Sequence, residues 1–259
     1  MPATPDYRKG RLTGDFAYKE KFKASVVCCG SNGRRSDMHS PASAALVADD
    51  DTTTFMAAVE KIGRDYGFAD TRTHRHGFVV GALSRLLAMA QSVSDTEATV
   101  LGHAARLHDI GKSLLPATIL HKPGPLIIGE REIVQMHSEY GQSILAMYAN
   151  PHFQLAAKLA LLHHERVDGK GYPFGLKGGD IPASVRIVSI CDVYEALRSS
   201  RPYKDQLTHD EALLMMRTHE TMGPRAFDHT ALTAFMDIGD VVCSTYRYAT
   251  AEVEGMHAR

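Results

Sequence analysis

The stretch LLHHERVDGKGYP, residues 161–173, ends an apolar run with two adjacent histidines and then passes into a glycine-rich loop. The preceding residues, PHFQLAAKLA, are apolar at helical spacing, which predicts a helix over 151–164. The loop that follows, residues 166–181, is rich in glycine and contains Pro173, so it cannot continue that helix. The pattern therefore predicts a helix that carries His163 and His164 at its carboxyl end.

Outward from this stretch, most of the chain predicts further helices. Ser94 with Glu97, and Thr208 with Glu211, are capping-box pairs that predict helix starts. Few stretches alternate with the period of two that is typical of strands. The predicted fold class is therefore all-α, a single helical domain. The other helical patterns cover residues 53–67, 76–90, about 95–110, 130–148, about 182–199 and 228–239, the last clear one.

The composition restricts the classes of function. A net charge of −1, from 29 basic and 30 acidic residues, argues against binding to a nucleic-acid polymer. The sequence has neither an apolar run long enough to span a membrane nor a signal-peptide pattern, so we expect no membrane partner and a cytoplasmic location. The four cysteines form no disulfide or CxxC pattern.

The chain divides into three parts by pattern. Residues 1–51 are small and polar without a period, which predicts a flexible N-terminal segment. Residues 52–245 form the predicted helical domain, and residues 246–259 a C-terminal tail.

Seven polar residues interrupt the apolar faces or ends of different helices. A lone inward histidine is usually a hydrogen-bonded core residue, but an ionised carboxylate buried without a partner costs several kcal/mol. Imidazole and carboxylate ligands without thiolate suit Fe, Mn, Zn or Ni. An Asp that follows a His can bridge two ions, one through each oxygen, and paired ions are used in phosphate-ester cleavage. The seven candidate metal ligands are His76, His108, Asp109, His137, His163, His164 and Asp192.

These motifs resemble one known family. HDIGK, residues 108–112, together with HHERVDGKGYP, residues 163–173, is similar to the HD-GYP family of cyclic di-GMP phosphodiesterases in the HD phosphohydrolase superfamily. Further matching segments are LHKPGPL, GDIPASVRIVSICDVYEAL and RPYK, and the resemblance covers about residues 52–245. It implies a domain with a binuclear metal site in which the seven candidates hold two divalent ions, Fe or Mn in preference to Zn or Ni. Because adjacent helical residues point about 100° apart, we expect His163 and His164 to serve different metals or different coordination faces.

The resemblance also implies a chemistry. The ions, sharing the catalytic residue Asp109, would activate a water that attacks phosphorus, and the catalytic residue Lys112 would stabilise the phosphoryl charge. Lys112, Tyr172, Arg201 and Lys204 are the expected substrate-binding residues. Glu165 is a candidate proton donor by proximity alone.

One position departs from the family. Some members bind a third metal through a Glu one helical turn before the first histidine ligand, where this chain has Arg72. An Arg cannot ligate a metal. We therefore expect two ions, and cleavage of cyclic di-GMP to linear pGpG, with further cleavage to GMP left open.

Two alternatives remain at this stage. One is a module without turnover that responds to cyclic dinucleotides and contacts diguanylate cyclases through the Gly-Tyr-Pro loop. The other is a hydrolase of mixed cyclic GMP-AMP, because base choice depends on loop shape, which the sequence does not give.

Overall fold

The computed structural model describes residues 52–65, 71–200, 206–219 and 225–257 of the 259-residue chain, without the side chains of residues 64, 71, 72 and 257. These residues form helices and loops, and they contain no strand. The all-α prediction is thus confirmed. The predicted N-terminal segment 1–51, Arg201, Lys204 and the side chain of Arg72 lie outside the described residues.

Eleven α-helices occur within the described ranges. Helices α1 to α4 are Thr52–Asp65, Thr71–Ala90, Asp95–Ala105 and Ala117–Leu120, with a 3-10 helix at Ile110–Leu114 between the last two. Helices α5 to α7 are Ile128–Gln135, His137–Leu145 and Pro151–Leu162. Helices α8 to α11 are Ala183–Arg198, His209–Thr218, His229–Asp237 and Gly239–His257.

The helix starts follow the local sequence signals. The Thr208 hydroxyl accepts a hydrogen bond from the Glu211 backbone N–H, and Glu211 accepts one from the Thr208 backbone N–H, so the predicted capping box is confirmed. Ser94 is the N-cap of α3 and accepts a hydrogen bond from the backbone N–H of Glu97. These contacts satisfy N–H groups that have no partner within the helix.

Three helix boundaries were predicted wrongly. The helix expected to run to about residue 110 ends at Ala105 and is followed by the 3-10 helix. The single helix expected over 130–148 is two helices that meet at Met136, where the backbone tightens to a bond between Met136 N–H and the Ile133 carbonyl. The helix over 228–239 is not the last: α11 follows it and contains residues 246–257 of the expected tail.

The core is built around α2. This helix packs against α3, α8 and α11, and α7 packs against α3, α6 and α8. Each of these helices contributes completely buried apolar side chains, such as Leu83, Leu159 and Ile190. The packing brings together the ends and inner faces of α2, α3, α6, α7 and α8, the elements that carry the candidate ligands.

One close contact fixes the 3-10 helix against α6. A Cβ on Gly111 would overlap the His137 carbonyl oxygen and the Gly141 backbone nitrogen. Only glycine allows this approach, and it lets the residue pair His108–Asp109 sit directly beside the start of α6.

No helix of the described residues combines the length and apolar character needed to cross a membrane. The location of the protein in the cell stays a prediction.

Candidate metal centre

Asp109 lies at the centre of the candidate site. It immediately precedes the 3-10 helix and is 4% exposed. Its Oδ2 lies 3.4 Å from the Nε2 atoms of both His76 and His108. Its Oδ1 lies 3.3 Å from His137 Nε2 and 3.7 Å from His163 Nε2. The two oxygens of one carboxylate therefore face two different groups of side chains.

We call the group that faces Oδ2 the carboxylate side, formed by His76, His108 and Asp192. Oδ1 of Asp192 lies 3.2 Å from His76 Nε2 and 3.8 Å from His108 Nε2. His76 comes from α2, His108 follows α3, and Asp192 comes from α8. Three parts of the fold thus contribute one side chain each to this group of two imidazoles and one carboxylate.

We call the group that faces Oδ1 the imidazole side, formed by His137, His163 and His164. Each offers a nitrogen such that these atoms and an Asp109 oxygen all lie within 4.8 Å of one another. His163 caps α7, and the rings of His163 and His164 lie 4.0 Å apart between centroids. His163 and His164 thus both belong to the candidate group around Asp109 Oδ1, and His163 also lies in a second group with His108 and Asp192.

Three ligand rings are oriented by backbone carbonyls. The Nδ1–H groups of His108 and His137 donate to the carbonyls of Ala105 at 2.8 Å and Val134 at 2.6 Å. Nδ1–H of His163 donates to the Ala160 carbonyl at 3.0 Å. A carbonyl only accepts, so in each ring the proton sits on Nδ1 and Nε2 presents a lone pair.

His76 is oriented differently, by a carboxylate. Its Nδ1 lies 2.5 Å from Oε2 of Glu195, a residue of α8 that is 1% exposed. Sequence reasoning missed Glu195. The signal was present, because Glu195 lies in the same apolar run as Asp192, and the argument against an unpartnered buried carboxylate applies equally to both.

The two central carboxylates are held ionised. Burial alone would raise the pKa of Asp109, but Lys112 and the rings of His108 and His76 hold it well below its usual range. Burial likewise opposes ionisation of Asp192, and a hydrogen bond from His76, together with the proximity of the His76 and His108 rings, lowers its pKa far below the usual value. Both groups are therefore available as anionic ligands at neutral pH.

The pKa shifts of the histidines differ between the imidazole side and the carboxylate side. Burial lowers the pKa of His137, lowers that of His163 strongly, and lowers that of His164 to about 3. Burial would also lower the pKa of His76, yet Glu195, with hydrogen bonds to Asp109 and Asp192, raises it well above 6.5. The imidazole side is thus neutral, whereas the carboxylates around His76 favour its protonated form.

The donor set fits a metal cation. On the imidazole side, the Nε2 lone pairs of His137 and His163 face each other at 3.3 Å, and Asp109 Oδ1 is buried without a hydrogen-bond partner among the described residues. Three acceptors in contact with no proton between them repel one another unless a cation lies among them. Neutral imidazole and carboxylate suit a divalent transition metal.

Lys112 lies next to this centre. It is one turn beyond Asp109, and its Nζ donates to Asp109 Oδ2. Its side chain is 29% exposed, so the ammonium is accessible at the edge of the carboxylate side. Its contact within the described residues is therefore with a candidate ligand, Asp109.

The Gly-Tyr-Pro loop folds back on the two histidines. The ring of Tyr172 stacks on that of His164, with centroids 4.6 Å apart and planes 28° apart. A Cβ on Gly171 would lie 2.5 Å from the His164 carbonyl oxygen, so this close approach requires glycine. The loop thereby covers His164.

Glu165 has a different role from the one expected. Its carboxylate is buried and accepts backbone N–H groups from Phe174 at 2.7 Å and Leu176 at 2.9 Å. Both oxygens are engaged in holding the loop, although burial raises the pKa of the carboxyl. The interpretation of Glu165 as a proton donor from proximity is therefore corrected to an anchor for the loop.

Residues 54–226 match the model of the HD domain family. A Thermotoga maritima protein named cyclic di-GMP phosphodiesterase is 40% identical over 180 residues, which are 70% of this chain and 48% of that protein. A Vibrio cholerae protein named 3'3'-cGAMP-specific phosphodiesterase 3 is 35% identical over 189 residues, 72% of this chain and 40% of that protein. The chain thus spans half or less of the length of these relatives.

The fold has a counterpart among solved structures. Bd1817 of Bdellovibrio bacteriovorus, described as an HDG"Y"P protein, superposes with a TM-score of 0.53 at 19% identity, over 73% of this chain and 64% of that one. At this identity the likeness concerns the fold alone.

Proposed function

Because the chain belongs to the HD domain family, and within it to the HD-GYP group, we propose that it is a metal-dependent phosphodiesterase that hydrolyses cyclic di-GMP to linear pGpG. The observation that carries this proposal is the divided Asp109 carboxylate, with one oxygen facing each group of histidines. The name of the Thermotoga maritima relative supports the substrate class.

Two divalent ions are proposed, one on each side of Asp109. The first would be held by Oδ2 of Asp109 with the carboxylate side, and the second by Oδ1 with the imidazole side. Iron or manganese is preferred for these nitrogen and oxygen ligands, with zinc or nickel as alternatives. The ions would supply Lewis acidity and an activated water for attack on phosphorus.

The side chains of the protein have separate tasks in this proposal. Asp109 would hold one ion through each of its two oxygens. Lys112 is accessible at the edge of the carboxylate side, and its ammonium would turn from Asp109 to a phosphoryl oxygen and stabilise the charge that builds up there.

Recognition of the dinucleotide rests on residues around the centre. Tyr172 would present the edge of its ring beside the substrate while its face remains stacked on His164. Arg201 and Lys204, which follow α8 in the sequence, are proposed as phosphate or guanine contacts on the strength of the family motif. Arg72, in place of a Glu, supports two ions and a linear product.

A second substrate is favoured by one comparison. The Vibrio cholerae relative is named for 3'3'-cGAMP, and its match covers a similar share of this chain. The loop that begins at Gly171 lies against His164, so the base preference would depend on its shape. A protein-binding role of the same loop toward diguanylate cyclase domains is the remaining alternative.

The test is direct. The protein, loaded with Mn(II) or Fe(II), is incubated with cyclic di-GMP, cyclic GMP-AMP and cyclic di-AMP, and the products are separated by chromatography. Faster release of pGpG than of any other product supports the proposal. Cleavage of cyclic GMP-AMP alone supports the second substrate. Full metal occupancy without cleavage of any of the three contradicts an enzymatic role and favours the interaction module.

A further inference from the structure

We propose that Glu195 is a positioning residue that holds His76 in the ring orientation and tautomer needed to bind the metal on the carboxylate side. The inference rests on the proposed binuclear function, and it concerns a residue that is not itself a ligand: Glu195 meets Nδ1 of His76, on the opposite edge of the ring from Asp109 and Asp192.

The contact between Glu195 and His76 is buried in the core. The Glu195 side chain is 2% exposed, and its Oε2 lies 2.5 Å from His76 Nδ1. A carboxylate accepts hydrogen bonds and cannot donate when ionised, so it requires the proton of the ring on Nδ1. Nε2 then points its lone pair toward the two aspartates whenever the ring is neutral.

The second oxygen of Glu195 is fixed as well. The Ser199 hydroxyl donates to Oε1, and Arg75 donates to that hydroxyl at 2.9 Å. The Arg75 guanidinium also lies 3.8 Å from Oε1. With both oxygens engaged, the carboxylate cannot rotate away from His76 without breaking contacts on its other edge.

His76 depends on this support more than the other rings do. His108, His137 and His163 are oriented by carbonyls that belong to their own local backbone. His76 is oriented by a side chain 119 residues away in sequence. A carboxylate behind a ligand imidazole also increases its basicity, and loss of such a partner typically lowers metal affinity or activity by about 10- to 100-fold.

The role of Glu195 also follows from the spacing on α8. Asp192 and Glu195 are three residues apart and therefore lie on one face of the helix. The helix presents a carboxylate toward the metal position at Asp192 and a second carboxylate to the back of His76 at Glu195. One helix thus fixes both a ligand and the support of its neighbour.

The experiment is calorimetric titration of metal-free protein with Mn(II) in the absence of substrate, for the parent and for Glu195→Gln and Glu195→Ala. We expect two binding events in the parent. Glu195→Ala should weaken one of them by about 10- to 100-fold and leave the other unchanged. Glu195→Gln keeps a hydrogen-bond acceptor without the charge, so its loss should be smaller.

The matched control is Glu60→Gln. Glu60 also pairs with a cation, Arg106, but it lies outside the candidate centre. Thermal unfolding of each metal-free variant separates a positioning effect from a structural one. The inference is overturned if both binding events weaken together with the unfolding temperature, if neither changes in Glu195→Ala, or if Glu60→Gln has the same effect.

Failure of the inference and failure of the proposed function have different signatures. A parent protein that binds two ions and cleaves no cyclic dinucleotide contradicts the function and leaves the Glu195 effect measurable. A parent that cleaves cyclic di-GMP while Glu195→Ala retains both affinities contradicts the inference alone.

Discussion

The carboxylate side and the imidazole side share Asp109 but are constructed differently. On the imidazole side, His137 and His163 are buried, are oriented by their own backbone, and have lowered pKa values. On the carboxylate side, His76 and Asp192 have side chains that are 14% and 13% exposed, and His76 has a raised pKa. The imidazole side is therefore neutral, whereas the carboxylate side is charged and two of its three members are partly exposed.

This difference separates two ways of preparing a metal position. Neutral imidazoles are available for binding with no proton to displace, at the cost of burying lone pairs against one another. Carboxylates instead concentrate negative charge, which attracts both protons and metal ions. We therefore expect metal binding on the carboxylate side to displace a proton from His76, and metal binding on the imidazole side to displace none from His137 or His163.

The largest effect is expected where the two sides meet. Asp109→Ala removes an oxygen from each side at once, and two cations would then repel each other without the bridging charge. We expect hydrolysis to be abolished and the metal content to fall below one ion per chain. Metal analysis and product chromatography on the same preparation measure both. Near-normal turnover in Asp109→Ala would rule out the shared carboxylate as the basis of the mechanism.

Removing one ring from each side tests whether the sides are unequal. His76→Ala leaves His108, Asp192 and Asp109 Oδ2, a set with two carboxylates, whereas His137→Ala leaves two imidazoles and Asp109 Oδ1. Because charge attracts the cation, His76→Ala should retain more metal at limiting Mn(II) than His137→Ala. Each loss should exceed the 10- to 100-fold in affinity that is typical of removing a supporting partner.

Metal content is measured after dialysis against a graded Mn(II) series, with the parent expected to hold about two ions per chain. The control is His121→Ala, because His121 follows α4 and belongs to no candidate metal group of the described residues. Equal retention in the two ligand variants, or greater retention in His137→Ala, would contradict the distinction between the sides.

A smaller loss is expected from Lys112→Ala. Lys112 contacts Asp109 and is predicted to contact phosphate, so both metals should remain while the rate falls. A charge-assisted contact contributes roughly 1.5–3 kcal/mol, or about 10- to 100-fold in rate if it acts in the transition state. Steady-state rates at matched metal loading provide the measurement.

Lys122→Ala is the matched control for this variant. Lys122 pairs with Glu130, outside the candidate centre, so its removal should leave the rate unchanged. If Lys112→Ala empties a metal position instead of slowing turnover, Lys112 supports the ligand Asp109 and has no separate role toward the substrate.

Local signals account for the part of the fold that the sequence predicted. The caps at Ser94 and Thr208 depend on residues three apart, and these contacts form in the structure as the pattern indicates. The break at Met136 has a non-local component, because the His137 ring, whose Nδ1–H donates to the Val134 carbonyl, turns its Nε2 to within 3.3 Å of Asp109 Oδ1. No periodicity within residues 130–148 contains that information.

The sequence of α11 contains a helical pattern that the prediction did not use. Its buried residues Val242, Tyr246, Ala249 and Val253 recur at spacings of four and three, as a helix requires. Exposed polar residues and Tyr248 lie between them, which conceals the stripe in the sequence. Packing against α2 makes this helix part of the core.

The sequence predicted the candidate ligands that the structure brings together, and it did not predict the residues that support them. Buried carboxylates and motif spacing identified Asp109 and Asp192, because an ionised carboxylate in a core needs a partner or a metal ion. The same argument indicated that Glu195 needs a partner, but neither the partner of Glu195 nor that of Glu165 could be identified from the sequence. Their partners, His76 and the backbone of residues 174–176, are determined by tertiary contacts and not by neighbouring sequence.

The smallest effect is expected at the hydrogen bond that joins the helix of the carboxylate side to the imidazole side. The Ser189 hydroxyl, three residues before Asp192, donates to the His163 backbone carbonyl at 2.6 Å, and the contact is buried. Ser189→Ala leaves that carbonyl without this donor, and an unsatisfied buried group costs about 1–3 kcal/mol.

Ser138→Ala is the matched control, because the Ser138 hydroxyl is also buried but has no hydrogen-bond partner within the described part of the chain. Denaturant unfolding of the metal-free proteins should show a lower free energy of unfolding for Ser189→Ala and little change for Ser138→Ala. Because all seven candidate ligands remain in place, Ser189→Ala should still bind two ions. Equal destabilisation by both substitutions would show that the bond between the two sides contributes nothing beyond the packing of a buried serine.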